Sequence, residues 1–228
     1  MSYTFVLSGT GSVLKADYYP SIELDKNTQY VLGLIGFYTY NSVPNIDEGS
    51  NKFYFGTQTY EIPTGLYEVE DINQYLKKKI GEDKINISAN NNTLKCVIRG
   101  SETIDFTSVD SIRDLLGFSW HRYSANQDHE SDKAVQILKV HIIRLECNII
   151  TNSYFNSELL HNLFTFSIKV GPGISIAEEP RNICYLPINT SVISNITVNI
   201  LDQEGRPVNF REELISLRLE LKKNGNSL

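Results

Sequence analysis

The stretch 185–221 constrains the fold of this 228-residue chain more than any other segment. Apolar and polar residues alternate over 196–200 and again over 215–221, and turn-forming residues occupy 202–207 between the two runs. Alternation with a period of two is typical of a β-strand that buries one face. Two such runs on either side of a turn predict an antiparallel β-hairpin near the end of the chain.

Most of the remaining sequence has the same character. Thirteen Tyr and ten Phe accompany many Val, Ile and Thr residues, and all of these types favour strands. Two short segments, 68–80 and 109–116, have instead the apolar spacing of a helix. Because strands and helices do not alternate regularly, the sequence predicts a mostly β fold. We expect an antiparallel β-sandwich or jelly roll with one or two short inserted helices.

We expect this fold to form a single domain over 1–228. The helix at about 68–80 is predicted to be an insertion, with Val69, Ile72 and Leu76 on one apolar face. The stretch 118–134 is the longest polar segment, and it is predicted to be an exposed loop. A subdomain boundary, if the chain has one, would fall there.

Charge and hydropathy argue against several classes of protein. The net charge of −6 and the pI near 5.3 do not suit a protein that wraps nucleic acid, so no nucleic-acid partner is expected. No apolar run approaches the ~20 residues that a membrane span requires. The first residues lack the basic start of a secretory signal, so we expect a protein that is not secreted.

The three cysteines are odd in number and far apart, which indicates neither a disulfide framework nor a zinc ribbon. Cys96, Cys147 and Cys184 each lie in an apolar or alternating run. This placement predicts three buried free thiols and synthesis in a reducing compartment.

No motif for catalysis or metal binding is recognisable. None of the four histidines stands at the spacing of a zinc site, and the sequence has no GxSxG nucleophile motif. We therefore expect no catalytic residues, no metal and no cofactor, and a protein that is not an enzyme.

Three residues are candidates for binding a partner: Trp120, Arg122 and Tyr123. Trp, Tyr and Arg are the residue types most enriched in interface hot spots, and here they stand together in a polar stretch. The alternative is that these side chains pack on their own domain.

Six fragments, taken in order, resemble the small capsid protein encoded by Polinton/Maverick elements and the related adintoviruses. The fragments are 40–46, 62–72, 115–118, 185–189, 202–205 and 208–211. The resemblance covers most of the chain, from about 30 to 221. That family is regarded as the penton, or minor capsid, protein of DNA viruses with jelly-roll capsids.

The resemblance implies a single jelly roll that forms a homo-pentamer at icosahedral vertices and contacts the major capsid protein. It also implies a location in the virion capsid, after assembly inside the host cell. It supplies no catalytic residues. Two alternatives remain open on the residues alone: a lectin-like or spike-like jelly-roll binding module, and an enzyme built on a β-sandwich.

Overall fold

A computed structural model describes residues 2–137, 139–150, 153–155, 158–171 and 173–225. Antiparallel strands dominate it, as the sequence predicts. The chain divides into two compact units, one made of Met1–Val43 with Val140–Leu228 and the other of Pro44–Lys139. We call them unit 1 and unit 2. That the whole chain acts as a single domain stays a prediction.

The elements follow one another along the chain in a fixed order. They are β1 (Ser2–Gly9), β2 (Val13–Glu23), β3 (Tyr30–Tyr40), β4 (Lys52–Phe55), β5 (Gln58–Glu61), α1 (Val69–Ile80), β6 (Ile85–Asn90), β7 (Lys95–Gly100), β8 (Ile104–Asp105), α2 (Arg113–Leu116), β9 (Arg122–Tyr123), β10 (Asp128–Ala134), β11 (Ile142–Cys147), β12 (Ser153–Phe155), β13 (Glu158–Leu160), β14 (Asn162–Ser167), β15 (Ser175–Glu178), β16 (Leu186–Pro187), β17 (Val192–Leu201) and β18 (Ile215–Lys223).

The two larger sheets of unit 1 have strand orders that define a jelly roll, and β12 and β13 pair separately. One sheet runs β1-β18-β3-β15, with β16 also paired to β3, and the other runs β14-β11-β17-β2. The strand pairs are nested in the sequence. The pair β1–β18 encloses β2–β17, which encloses β3–β15, which in turn encloses β11–β14. This is the arrangement of one long antiparallel ribbon coiled into two sheets.

The predicted hairpin at the end of the chain is wrong. Its two strands exist as β17 and β18, but they lie in different sheets. After the turn at Gly205, the Val208 amide still donates to the Ile200 carbonyl at 3.0 Å. The connection then inserts Val208 and Phe210 into the core. Burial of these two side chains takes the chain away from β17 and across the sandwich.

The core of unit 1 joins the two sheets. Phe37 on β3 is fully buried and its ring centroid lies 5.2 Å from that of Phe166 on β14, in the other sheet. The outer side of β3 is also covered, because a Cβ on Gly33 would lie 2.4 Å from the Ile183 side chain. Strand β3 is therefore buried on both faces over most of its length.

Unit 2 has a core of its own, built from a four-stranded sheet β5-β4-β8-β9, a three-stranded sheet β10-β7-β6 and the helix α1. The Glu68 amide donates to the Asp71 carboxylate at 2.9 Å at the start of α1. Ile72 and Leu76 on the apolar face of α1 are fully buried. On the same helix, the Asn73 side chain accepts the Ile87 amide of β6 at 2.8 Å. The helix predicted at about 68–80 is therefore present as Val69–Ile80.

Two predictions for unit 2 are wrong in detail. The stretch 118–134 is not simply an exposed loop, because it contains β9 and β10. The hydroxyl of Ser131 is buried in β10, where it accepts the Cys96 amide at 2.9 Å and donates to the Lys133 carbonyl at 2.7 Å. The helix predicted over 109–116 begins only at Arg113.

Two of the three cysteines are buried, as predicted. Burial raises the pKa of the Cys96 thiol to about 12 and that of the Cys147 thiol to about 11, so both remain neutral. Cys184 is exposed, and the prediction for this residue is wrong. It belongs to the segment that covers Gly33 from outside the sheet, which the local sequence pattern does not reveal.

We predict that Phe37→Ala lowers the free energy of unfolding by about 3–5 kcal/mol, because it leaves a cavity between the two sheets. The matched control on the same strand is Tyr40→Ala, whose side chain is exposed and whose effect should stay within about 0.5 kcal/mol. Urea unfolding followed by circular dichroism measures both. Equal effects of the two substitutions would contradict this packing.

Candidate partner-binding surface

The surface that carries Trp120 is held in place by a glycine at the end of α2. Gly117 adopts a left-handed conformation with φ of 79°, and the Phe118 amide donates back to the Arg113 carbonyl at 2.9 Å. A Cβ at Gly117 would lie 2.3 Å from the Lys133 carbonyl oxygen. Only glycine combines this φ with so close an approach. The turn fixes the direction in which the chain leaves α2 toward Trp120.

Trp120 is exposed, but a contact with Arg113 orients its ring. The Arg113 guanidinium carbon lies 4.4 Å from the centroid of the indole ring, within the range of a cation–π contact. Arg113 is itself largely buried and donates to the Ser108 carbonyl at 2.8 Å. The side chain of Trp120 remains 54% exposed and Val109, beside Ser108, 74% exposed. Arg113 therefore links the Trp120 ring to the backbone of the loop that carries Val109, and we call Val109, Arg113 and Trp120 the tryptophan patch.

A hydrogen-bonded carboxylate fixes the loop that carries Val109. The Asp110 carboxylate accepts from the Lys52 ammonium and from the Tyr54 hydroxyl, each at 2.8 Å, and also from the Ser108 hydroxyl. These donors, with that of Lys52 the strongest, hold the pKa of Asp110 well below its usual range. The loop is therefore tied to β4 by a charge that persists at neutral pH.

Arg122 is exposed and paired. Its Nε donates to the Asp105 carboxylate at 2.8 Å, across the short ladder that joins β8 and β9. Burial opposes ionisation of Asp105, but hydrogen bonds from Thr107 and Arg122 outweigh it and keep the pKa of this carboxyl below its usual value. The Arg122 side chain is 70% exposed, so the guanidinium still presents donors to solvent.

Tyr123 belongs mainly to the core of unit 2. Its ring centroid lies 5.1 Å from Phe118 and 5.8 Å from Phe106, both in edge-to-face contacts. Burial raises the pKa of its hydroxyl. For this residue the packing matches the alternative that the sequence left open. Its main contribution is to anchor the strand that displays Arg122.

The three candidates are thus placed differently. Trp120 and Arg122 are exposed, whereas Tyr123 is half-buried and packs on Phe106 and Phe118 in the core of unit 2. Sequence reasoning missed Arg113 and Val109, because their importance depends on contacts between residues that are not sequence neighbours. A partner-binding role for the three candidates stays a prediction.

No cluster of three or more His, Cys, Asp or Glu side chains that could hold a metal ion occurs among the described residues. Within the same part of the chain, no helix is both long enough and apolar enough to cross a membrane.

No protein-family model and no curated protein matches the sequence. A crystal structure of the mavirus penton protein does match, with a TM-score of 0.54 and 13% sequence identity. The match covers 98% of this chain and 100% of that chain. The chain shares the fold of that penton protein. The predicted fold class is therefore confirmed, while the narrower link to Polinton elements and adintoviruses stays a prediction.

We predict that Asp110→Asn lowers the stability of unit 2 by about 2 kcal/mol at neutral pH, because it removes a charge-assisted hydrogen bond. The folded pKa is depressed, so this stabilisation is present above the unfolded value of about 3.9 and is lost as pH falls below it. Urea unfolding at pH 7 and pH 3 measures the difference between the two proteins. A difference that does not shrink at low pH would contradict the role of the charge.

Proposed function

We propose that this protein is a penton-like capsid protein, a structural component of a virion that is not an enzyme. The observation that carries the proposal is the likeness to the mavirus penton protein over nearly the whole of both chains. Because the match covers 98% of this chain, it extends beyond the residues of the jelly roll to those inserted between β3 and β11. A shared jelly roll alone would say much less, since that architecture serves many functions.

Five copies form a ring at each vertex in this proposal, and the ring contacts the major capsid protein. A closed ring requires a head-to-tail interface in which two different surfaces of the chain meet. The tryptophan patch and Arg122 are suited to one of these surfaces, because they combine exposed apolar area with a guanidinium that keeps free donors. The resemblance to Polinton and adintovirus capsid proteins supports the same assembly, inside the host cell.

The native mass of the purified protein tests the ring. Five chains of 25.9 kDa give a species of about 130 kDa, and negative-stain averages of it should have five-fold symmetry. The same measurement is repeated after co-expression with the major capsid protein of the same genome. A stable trimer would favour a spike-like module instead. A monomer that neither enters capsids nor binds the major capsid protein would rule the proposal out.

We predict that Trp120→Ala weakens the assembly by about 2 kcal/mol or more per contact, because buried tryptophans dominate interface energies. The ring should then dissociate at protein concentrations where the unchanged protein remains assembled. Sedimentation velocity measures the fraction assembled.

The matched control is Tyr19→Ala, which removes a fully exposed aromatic side chain from unit 1. It should leave the assembled fraction unchanged. If both substitutions lower the assembled fraction equally, the loss is not specific to the tryptophan patch. If Trp120→Ala leaves the assembled fraction unchanged, the ring forms through another surface.

A further inference from the structure

Three segments that are distant in sequence meet in a cleft of about 810 Å³ at one end of unit 1. They are the connection between β2 and β3, the segment that leads from β16 to β17, and the end of β18. Backbone hydrogen bonds tie these segments together: Leu24 donates to Ser191 at 2.8 Å and Asn224 donates to Gln29 at 2.9 Å. The cleft is therefore formed before any ligand arrives, which lowers the entropy cost of binding.

The cleft is positively charged although the chain carries a net charge of −6. Its described lining includes three lysines, Lys26, Lys222 and Lys223, against one carboxylate, Asp25. Asp25 is already engaged, because its two oxygens accept the Asn27 amide at 3.0 Å and the Thr28 hydroxyl at 2.8 Å. The lining therefore has a net charge of +2.

One of the three ammonium groups has a fixed position. The Lys222 Nζ lies 3.5 Å from the centroid of the Tyr185 ring, and the Tyr185 hydroxyl donates to Glu220. This contact orients the Lys222 side chain without neutralising its charge. Lys26 and Lys223 are exposed, so their ammonium groups keep donors for a ligand.

Part of the cleft lining is apolar and largely buried, and we call this part the floor. Leu24, Tyr30 and Val31 line it and are each less than 10% exposed, and the half-buried Ile188 lies beside them. A ligand that fills the cleft therefore meets an apolar base and a cationic rim. A peptide with carboxylates next to an apolar side chain matches both features.

We propose that this cleft binds an acidic peptide segment of a partner protein, with carboxylates on the lysines and an apolar side chain on the floor. Charge complementarity supports this partner. The apolar floor favours a peptide over a nucleic-acid strand, whose phosphates would meet the rim alone and whose binding needs a longer basic track. The proposal goes beyond the capsid role, because it names a site that requires no ring.

The test is fluorescence anisotropy with a labelled peptide, Gly-Glu-Leu-Glu-Leu-Glu-Gly, added to the full chain. We expect saturable binding with a Kd on the order of 10–100 μM that weakens as salt is raised. A peptide with Gln in place of Glu tests the charges, and one with Ser in place of Leu tests the floor. Both should bind at least about tenfold more weakly.

Two substitutions test whether the peptide binds in the cleft. Lys26→Glu and Lys222→Glu should each weaken binding of the acidic peptide by roughly tenfold or more. Lys26 is an exposed turn residue, so its replacement keeps the test valid even if Lys222→Glu disturbs the packing of Tyr185. Lys169→Glu is the matched control: it reverses an exposed lysine of the same unit outside the cleft lining, and it should change the Kd by less than about twofold.

Three results would overturn the proposal. One is the lack of saturable binding at about 1 mM peptide, and another is an equal loss of affinity in Lys169→Glu. The third is binding of a labelled oligothymidylate as tightly as the peptide with the same sensitivity to Lys26→Glu, which would make the cleft a phosphate site. None of these readouts depends on the native mass, so failure of the cleft and failure of the ring are distinguishable.

Discussion

The pairing of β1 with β18 is the constraint on which the rest of unit 1 depends. It joins residues at opposite ends of the chain, from Ser2 opposite Lys222 to Gly9 opposite Ile215. Every other strand pair of the nested ribbon lies between these two strands in sequence. Closing so long a loop costs chain entropy, but that cost rises only with the logarithm of loop length. Burial of Phe5 and Leu7 on the inner side of β1 is part of what offsets it.

This logarithmic cost also explains how the fold accommodates unit 2. The inserted residues Pro44–Lys139 lengthen a single connection, the one between β3 and β11. Unit 2 has a hydrophobic core of its own, with Phe53, Phe106 and Ile72 fully buried. It therefore gains its own burial energy and does not depend on side chains from unit 1 to fill its centre. The tryptophan patch is displayed by contacts made within unit 2.

The sequence revealed strands far better than it revealed their partners. The alternating runs 196–200 and 215–221 both lie within strands, β17 and β18, because alternation is a local property of the sequence. The hairpin predicted in 185–221 is wrong because strand pairing is not a local property of the sequence. Burial in the core decides it, and the connection from β17 to β18 places Val208 and Phe210 in the core. The strand β10 was missed because it is polar and mostly exposed, so it lacks the alternation that marks a strand. Residue types, too, indicated Trp120 correctly as exposed but could not show that Tyr123 packs inward.

Both proposed binding surfaces combine residues of connections with residues of a strand or a helix, and neither surface can be recognised from a single segment of the sequence. Arg113 matters because the turn at Gly117 brings Trp120 onto its guanidinium. Lys222 is similar, since in the sequence it is only a charged residue near the end of a strand. It lines a cationic cleft because the nested ribbon brings the end of β18 beside the connection that follows β2. The strands supply a rigid frame whose pairing follows from burial, and that frame determines which distant charges and aromatic rings become neighbours.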